Sequence, residues 1–388
     1  MSDETFLNLR KFLAPEFIFG LGAYRHAVHY AKNFQARRLL IVTDPGIIEA
    51  GWIGKLLPSL KKEKIPYIIY SNVSPNPRDF EIMEGADVYL SNGCNVILAF
   101  GGGSVIDCAK GIGIVCTNKK HILTFEGVDR VSVPMPPLIC IPTTGGTSAD
   151  VSQFAIIRDS EGMRKIAVIS KAVVPDISLI SPETLTTMAP YLSACTGIDA
   201  LVHAIEAFVS NANSPFTDMH ALLAVKLIFQ NLVASLKDPL NLQLRGKIMM
   251  GSLEAGLAFS NASLGIVHST SHSLGGLLDL PHGECNAIML PSVMDFNYDA
   301  APERFAQLGE AMDIDCRKLT GTQVKREVLQ KIASLKKDSG IFTTLGDKGI
   351  KTVDIPELAK NALKDPCTVT NPRKPKLRDL EVIYEEAL

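Results

Sequence analysis

Short apolar segments alternate with helical stretches in the first half of the chain, and this alternation is the strongest constraint on its fold. The apolar segments are residues 38–44, 66–70, 95–100 and 137–141. Each ends at turn residues, as expected for strands buried on both faces, and a helical stretch such as residues 79–92 separates neighbours. Residues 154–157 and 165–168 are predicted to pair as a hairpin. The pattern predicts a parallel sheet covered by helices.

The second half has a different pattern. From about residue 185, long amphipathic stretches such as residues 217–236 and 244–259 follow one another with few strand signals. Apolar residues along one face predict helices that pack on each other. The chain has 388 residues, more than one core usually accommodates. We therefore predict an α/β domain over residues 1–187 and an all-helical domain over residues 188–388.

Three glycines, Gly101, Gly102 and Gly103, directly follow the third predicted strand. Glycine lets the backbone approach a ligand closely. Ser104 is predicted to cap the helix that follows, with Asp107 in the capping-box position. The free N–H groups at the start of that helix would form an anion site suited to a phosphate. The segment is neither a G-x-G-x-x-G fingerprint nor a P-loop, so a tight turn that binds nothing is the alternative.

A second polar loop, residues 142–148, follows the fourth predicted strand. Ligands of open α/β sheets bind beyond the carboxyl ends of the strands, which suits this loop to the ribose or phosphates of a dinucleotide. A loop that satisfies its own hydroxyls is the alternative. Asp44 ends the first strand, where a carboxylate binds ribose hydroxyls and repels a 2′-phosphate, which favours NAD over NADP. The structural alternative for Asp44 is a turn before Pro45 and Gly46.

A carboxylate and several histidines recur at metal-ligand spacing in the helical half. Asp199 and His203 are four residues apart, and so are His268 and His272. Residues at i and i+4 share one face of a helix. His282 follows a proline, and the chain has only eight histidines. One carboxylate with three imidazoles suits a divalent metal that keeps a position open for substrate, although a single histidine is more often satisfied by a backbone carbonyl. The predicted ligands are Asp199, His203, His268 and His282.

The composition argues against two classes of partner. The formal net charge is −2 and no basic block is present, so nucleic acid is not an expected partner. No uncharged apolar stretch of about 18–20 residues is present, so we expect no membrane span. Residues 1–5 lack the pattern of a secretory signal.

The eight cysteines are scattered singly, which is typical of reduced thiols in the cytoplasm. One of them, Cys285, lies close to His282 in the sequence and is a further candidate metal ligand.

Taken together, these motifs resemble the iron-containing (group III) alcohol dehydrogenases over nearly the whole chain. The matching segments are Gly101-Gly102-Gly103-Ser104 with Asp107, Pro142-Thr143-Thr144, Gly197-Ile198-Asp199-Ala200 with His203 and Glu206, His268 with His272, Pro281-His282-Gly283 with Asn286, and Thr370-Asn371-Pro372-Arg373. One loop departs from the family pattern. The family has Ala, Gly, Ser and Glu at four positions of this loop, and this chain has Gly145, Ser148, Ala149 and Asp150 there. That loop is expected to keep its polarity and to lose one glycine.

The resemblance implies an N-terminal dinucleotide-binding α/β domain and an all-α C-terminal domain, the architecture shared with dehydroquinate synthase. It implies the same four metal ligands and places His272 near the nicotinamide as a catalytic residue. It also implies a set of cofactor contacts: Asp44, Asn76, Gly102, Gly103, Ser104, Thr143, Thr144, Ser152, Phe154 and Lys165. The expected cofactors are NAD and Fe²⁺, with Zn²⁺ as the alternative metal, because imidazole and carboxylate bind either ion.

The implied reaction is hydride transfer between an alcohol carbon and NAD while the metal polarises the oxygen. His272 is expected to relay the proton, since imidazole titrates near neutral pH. We expect small primary alcohols or diols and their aldehydes as substrates, and a homodimer or larger homo-oligomer in the cytoplasm. The alternatives are a related polyol dehydrogenase of the glycerol dehydrogenase type, a dehydroquinate synthase, and a metal hydrolase with a purely structural glycine loop. The synthase is disfavoured because residues 268–286 contain no lysine or arginine for a phosphorylated substrate.

Overall fold

The computed structural model describes residues 11–278 and 280–388. Residues 1–5, on which the predicted lack of a secretory signal depends, lie outside this part. The chain divides into two compact units, Ala14–Met188 and Ala189–Leu388, and the described residues before Ala14 belong with the second. The boundary predicted from the sequence falls one residue earlier, after residue 187.

The first unit is built around a parallel sheet with the strand order β1-β9-β6-β4-β2-β3. The strands of the unit are β1 (Glu16–Phe19), β2 (Leu39–Val42), β3 (Tyr67–Tyr70), β4 (Val96–Gly101), β5 (Gly127–Val128), β6 (Leu138–Pro142), β7 (Phe154–Asp159), β8 (Arg164–Ile169) and β9 (Ile177–Ile180). The apolar segments predicted as strands form β2, β3, β4 and β6. The predicted hairpin is also present, because β7 and β8 pair in antiparallel fashion.

Helices cover both faces of this sheet. They are α1 (Ala27–Asn33), α2 (Pro45–Glu49), α3 (Trp52–Lys62), α4 (Asp79–Ser91) and α5 (Gly103–Asn118). Alternate residues of β2 point into different cores. Leu40 belongs to a cluster with Ile112 of α5, whereas Leu39 belongs to a second cluster with Leu56 of α3. Burial on both faces explains why these strands are apolar without interruption.

The strand order creates a site where the direction of the chain reverses. From β2 the chain moves outward to β3, and it then returns to β4 on the other side of β2. The carboxyl ends of β2 and β4 therefore flank a topological switch point, where open α/β sheets bind their ligands. Asp44 follows β2, and Gly101 ends β4.

The second unit is helical. Its helices are α6 (Pro190–Val209), α7 (Pro215–Lys237), α8 (Leu242–Ala262), α9 (Ile266–Leu278), α10 (His282–Tyr298), α11 (Pro302–Ala311), α12 (Gly321–Asp338), α13 (Ile355–Lys364) and α14 (Leu377–Glu386). Helix α6 lies at the centre, packed against α7, α8 and α10. The α/β unit followed by a helical unit confirms the predicted fold class.

Two helices of the second unit, α6 and α7, are long and apolar enough by composition to cross a membrane. The most apolar window of α6 is 94% buried inside the protein, which identifies α6 as a core helix. The corresponding window of α7 is 39% buried. Core helices pass the same test of length and hydropathy, so the expected absence of a membrane partner stays a prediction. In the described part of the chain, all eight cysteines are buried and none forms a disulfide.

Candidate active site

Asp199 and His203 lie one helical turn apart near the middle of α6, as their spacing predicts. Both are buried, with 1% and 4% of their surface exposed. The ring of His203 stacks on the ring of Phe259 from α8 at a centroid distance of 4.3 Å. Helix α6 thus presents a carboxylate and an imidazole to the same point in the interior of the helical unit.

His268 lies in the first turn of α9, and its ring stacks on that of His203 at 4.5 Å. The start of α9 is held by a side chain from the C-terminal tail, because Asn371 Oδ1 accepts a hydrogen bond from the backbone N–H of Ile266 at 3.2 Å. Burial lowers the pKa of His268 well below its ordinary value, and the neighbouring His272 lowers it further. The ring is therefore neutral at physiological pH, which is the form that binds a metal.

His282 is the first residue of α10. The next residue, Gly283, packs directly on the backbone of α6, since a Cβ atom there would lie 2.3 Å from the carbonyl oxygen of Cys195. This close approach brings His282 Nε2 to 3.8 Å from Asp199 Oδ1. A residue with a side chain at position 283 would push the two helices apart.

The four predicted ligands meet at one point. One ligand atom from each of Asp199, His203, His268 and His282 lies within 4.8 Å of all the others. Two atoms bound at about 2.1 Å to one ion lie at most about 4.2 Å apart, so small side-chain shifts suffice to close the set around a metal. The Cys285 thiol is not part of this group.

Asn286, one turn after His282 on α10, shows how the lone pairs converge. Its Nδ2 lies 2.6 Å from Asp199 Oδ1, 3.2 Å from His268 Nε2 and 3.3 Å from His282 Nε2. Acceptor atoms that converge on one N–H group are also placed to converge on a cation. The buried carboxylate adds the negative charge that a cation would neutralise, so the residues fit a divalent metal.

His272 lies one turn after His268 on α9 and is not part of this group of four. Its ring stacks on that of His282 at 5.2 Å, and its Nδ1 lies 2.8 Å from Asp365 Oδ2. Burial raises the pKa of Asp365, but the interactions with His272 and the backbone N–H of Cys367 outweigh burial and lower it overall. His272, Asp365 and Cys367 also form a second cluster of metal-ligand type. Burial raises the pKa of the Cys367 thiol well above its ordinary value, which keeps it protonated and makes it a poor ligand.

The glycine loop lies at the switch point, but the predicted cap of its helix is wrong. Helix α5 begins at Gly103, and its N-cap is Gly102, which has an extended backbone and no side-chain cap. Ser104 already lies inside the helix, where its Oγ accepts a hydrogen bond from the backbone N–H of Asn76 at 3.3 Å. Asp107 accepts from the backbone N–H of Ile156 instead of closing a capping box, and burial raises its pKa to about 7.

The second loop packs on the first. A Cβ atom at Gly102 would lie 2.9 Å from Thr144 Cγ2, and the backbone N–H of Thr143 donates to Gly101 O at 3.0 Å. The loops after β3, β4 and β6 therefore bring several predicted cofactor residues together: Asn76, Gly102, Gly103, Ser104, Thr143 and Thr144. The glycines serve loop-to-loop packing in addition to any approach of a phosphate.

Three further predicted cofactor residues are connected to α5. Fully buried Lys110 of α5 donates from Nζ to the carbonyl oxygens of Ser152 at 2.8 Å and Phe154 at 2.6 Å. Lys165 of β8 lies near enough to Asp107 to lower the pKa of that carboxyl group.

The remaining predicted cofactor residue, Asp44, is the N-cap of α2 and accepts a hydrogen bond from the backbone N–H of Ile47 at 3.0 Å. The structural role weighed for Asp44 is thus present, and its contact with a ribose stays a prediction.

Some residues around these sites escaped the sequence analysis. Lys110 has a weak signal, a cation three residues after Asp107 in an otherwise apolar helical stretch. Asp365 has none, because only the folded chain brings it to His272. Asn286 belonged to a recognised motif, but nothing in the sequence indicated that its amide would contact Asp199.

Comparison with known proteins agrees with this architecture. A model of iron-containing alcohol dehydrogenases matches residues 14–182, and a model of the C-terminal part of the Fe-containing alcohol dehydrogenase family matches residues 193–388. The chain is 36% identical over 371 residues to a 1,3-propanediol dehydrogenase of Citrobacter freundii, a match that covers 95% of this chain and 96% of the relative. It is 34% identical over 377 residues to an NAD-dependent methanol dehydrogenase of Bacillus methanolicus, covering 97% and 99%.

A solved alcohol dehydrogenase from Oenococcus oeni has the same fold. It superposes with a TM-score of 0.95 at 36% identity, and the match covers 98% of this chain and 100% of that chain. The family models span both units, and the relatives match over nearly their whole length. The chain therefore belongs to the iron-containing alcohol dehydrogenase family and is an oxidoreductase that interconverts alcohols and aldehydes.

Proposed function

We propose that this enzyme uses NAD and iron(II) to interconvert small primary alcohols or diols and their aldehydes, with the metal held by Asp199, His203, His268 and His282. The observation that carries the proposal is the convergence of these four ligand atoms within 4.8 Å. It occurs in a chain whose two units both match the iron-containing family. Membership in an oxidoreductase family favours a dehydrogenase over the metal hydrolase considered as an alternative.

Each ligand contributes a specific property. A bound divalent cation supplies Lewis-acid polarisation of the substrate oxygen, and a nicotinamide supplies the hydride acceptor or donor. Asp199 contributes the negative charge that offsets the cation in a buried site. The rings of His203, His268 and His282 contribute lone pairs and leave a position for substrate. Phe259, stacked on His203, shields that side of the site from water.

His272 is proposed to carry the substrate proton. Its Nδ1 lies against the Asp365 carboxylate, so Nδ1 keeps its hydrogen and Nε2 is the nitrogen available to exchange a proton. Asp365 orients the ring in this arrangement. The stacking of His272 on His282 supports a role close to the metal ligands.

NAD is the proposed cofactor in preference to NADP. Asp44 lies at the end of β2 beside the switch point, and its carboxylate would repel a 2′-phosphate. The Bacillus methanolicus relative is described as NAD-dependent, which agrees with this preference. Asp44→Ala should therefore raise the activity with NADPH relative to NADH, whereas an unchanged ratio would argue against Asp44 as the discriminating residue.

Small alcohols and diols are the proposed substrates. The relatives from Citrobacter freundii and Bacillus methanolicus are named for 1,3-propanediol and methanol, both of them short-chain alcohols. A polyol dehydrogenase of the glycerol dehydrogenase type is the second candidate, since a diol and a triol differ by one hydroxyl. Assaying 1,3-propanediol, 1,2-propanediol, glycerol and primary alcohols side by side separates the two.

The decisive experiment combines metal replacement with cofactor choice. The enzyme is stripped with a chelator under anaerobic conditions, reloaded with Fe²⁺, Zn²⁺ or Mg²⁺, and assayed with short aldehydes and NADH or NADPH. We expect Fe²⁺ with NADH to restore the highest turnover. Full activity of the stripped enzyme would overturn the metal-dependent reaction, and higher turnover with Zn²⁺ would overturn the choice of iron.

The cytoplasm is the proposed location, and a homodimer or larger homo-oligomer the proposed state. Eight buried thiols without a disulfide in the described residues suit a reducing compartment. Light scattering after size exclusion measures the mass of the assembly, and a mass of one chain would contradict the proposed oligomer. Cell fractionation tests the location.

A further inference from the structure

Glu206 is a buried carboxylate beside the proposed metal ligands. It lies three residues after His203 on α6, with 2% of its surface exposed, and it is not one of the converging ligands. Burying a carboxylate is costly unless hydrogen-bond donors satisfy it. Its position therefore depends on the groups that approach its two oxygens.

One oxygen of Glu206 holds the start of α9. Oε1 accepts a hydrogen bond from the backbone N–H of Val267 at 2.7 Å. The neighbouring Gly265 leaves room for this contact, because a Cβ atom there would lie 2.8 Å from the same oxygen. Glu206 thus satisfies an N–H group in the first turn of α9, where a helix lacks internal partners. This contact ties α9 to α6.

The other oxygen of Glu206 orients a metal ligand. Oε2 lies 2.6 Å from Nδ1 of His268. An ionised carboxylate only accepts hydrogen bonds, so Nδ1 carries the hydrogen and Nε2 keeps its lone pair. Nε2 is the nitrogen that faces the site, 3.2 Å from Asn286 Nδ2. One carboxylate therefore determines both where His268 lies and which of its nitrogens faces the ligand group.

We propose that Glu206 is a positioning residue of the metal centre, which fixes the start of α9 and the tautomer of His268 so that Nε2 is ready to bind the ion. The inference rests on the proposed metal site and adds a determinant of metal affinity that is not a ligand. Outer partners of this kind, hydrogen-bonded to a ligating histidine, set its orientation and basicity in metal sites generally.

Glu206→Gln tests this role with little change in shape. Glutamine keeps a carbonyl oxygen for Val267 N–H, but its NH₂ group then faces Nδ1 of His268. Nδ1 must become the acceptor, which moves the ring hydrogen to Nε2, so the ring must change tautomer before it can bind the ion. We expect the affinity for Zn²⁺, a redox-inert probe of the same ligands, to fall by about 10- to 100-fold.

Glu254→Gln is the matched control. Glu254 of α8 pairs with Nδ1 of His220 at 2.5 Å, so it is also a glutamate–histidine pair, and neither residue belongs to the ligand group. Zn²⁺ affinity is measured by competition with a chromophoric chelator. The titration is run at the same pH for every variant. The Glu254 variant should bind Zn²⁺ as the wild type does.

A third variant, His268→Ala, separates failure of this inference from failure of the proposed function. Weak binding in Glu206→Gln beside wild-type binding in Glu254→Gln supports the inference. Equal binding in Glu206→Gln and wild type overturns it, while the metal site stands if His268→Ala has lost its affinity. Wild-type binding in His268→Ala overturns both.

A measurement on the wild type decides the question if the Glu206 variant does not fold. Metal-free protein with ¹⁵N-labelled histidine reports which ring nitrogen of His268 carries hydrogen before an ion binds, and the signal is assigned by its loss in His268→Ala. Hydrogen on Nδ1 supports the inference. Hydrogen on Nε2 overturns it.

Discussion

His282 Nε2 lies 3.8 Å from Asp199 Oδ1, although the two residues belong to different helices. The contact depends on the close packing of α10 on α6 at Gly283. A carboxylate and an imidazole from separate helices thereby share one point with two further histidines. Helix packing thus brings the four predicted ligands together.

His282→Ala should remove the metal and the activity together. Loss of one of four ligands weakens the hold on the ion, and Lewis-acid catalysis contributes several kcal/mol, so we expect turnover to fall by about 10³-fold. NADH binding should persist, because the predicted cofactor loops belong to the other unit. Metal content by elemental analysis and NADH affinity by fluorescence check this. His29→Ala, which changes an exposed histidine on α1, is the control, and near-normal metal in the His282 variant would contradict the ligand assignment.

Asp365→Asn should slow turnover and leave the metal in place. The change removes the carboxylate that lies 2.8 Å from His272 Nδ1, so the ring loses its fixed orientation while the four ligands are unaltered. We expect kcat to fall by about 10- to 100-fold, less than the full contribution of a general acid–base. Asp315→Asn, on the protein surface, is the control. A change in metal content, or an unchanged kcat, would contradict this role.

Most strands of the first unit were predictable from the sequence, but β1 and β9 of the parallel sheet were not. β2, β4 and β6 are apolar runs, because helices cover both sides of the sheet. β9 contains Ser178, whose hydroxyl donates a hydrogen bond to the buried carboxylate of Asp150. Asp150 belongs to the loop that differs from the family pattern. Edge strand β1 is short and partly exposed. Neither shows the uninterrupted apolar pattern, so both escaped prediction.

The four predicted ligands, which the structure brings together, could be found from the sequence because each lies in a short motif, whereas their partners could not. Asp199 and His203 share a face by spacing alone. The contacts of Asp365 with His272 and of Asn286 with Asp199 join distant segments, so only the folded chain shows them. The cap at Ser104 was mispredicted because Gly102, two residues earlier, already has the extended backbone of an N-cap. Ser148, where the family has glycine, keeps a left-handed backbone with φ of 49°.

Lys110→Met should loosen the predicted cofactor loop. Lys110 Nζ is the donor to the carbonyl oxygens of Ser152 and Phe154, and methionine fills the space without donating. Buried acceptors that lose a donor cost about 1–3 kcal/mol of unfolding free energy. We expect that loss in urea unfolding together with weaker NADH binding. Lys61→Met, an exposed change on α3, should alter neither, and unchanged NADH affinity in the Lys110 variant would argue against a role of this loop in cofactor binding.

Glu284, two residues after His282, anchors the start of α10. Its Oε1 accepts from Lys348 Nζ at 2.6 Å, the Tyr191 hydroxyl at 2.6 Å and the Thr343 hydroxyl at 3.3 Å. Burial raises the pKa of Glu284, but these donors outweigh burial and hold the pKa below its ordinary value of 4.5. A lowered carboxyl pKa stabilises the fold above the unfolded value and loses that contribution as the pH falls through the folded value.

Lys348→Met should therefore destabilise the enzyme in a pH-dependent way. At neutral pH the buried carboxylate of Glu284 loses its cation, and we expect a cost of about 1–3 kcal/mol in the free energy of unfolding. Below about pH 4 the carboxyl group is increasingly protonated in both proteins, so the two unfolding free energies should converge. Urea titrations between about pH 3 and pH 8 measure this difference across the window in which Glu284 is protonated, with the exposed Lys337→Met as the control. A deficit of equal size at every pH would mean that Lys348 acts through packing and not through its charge.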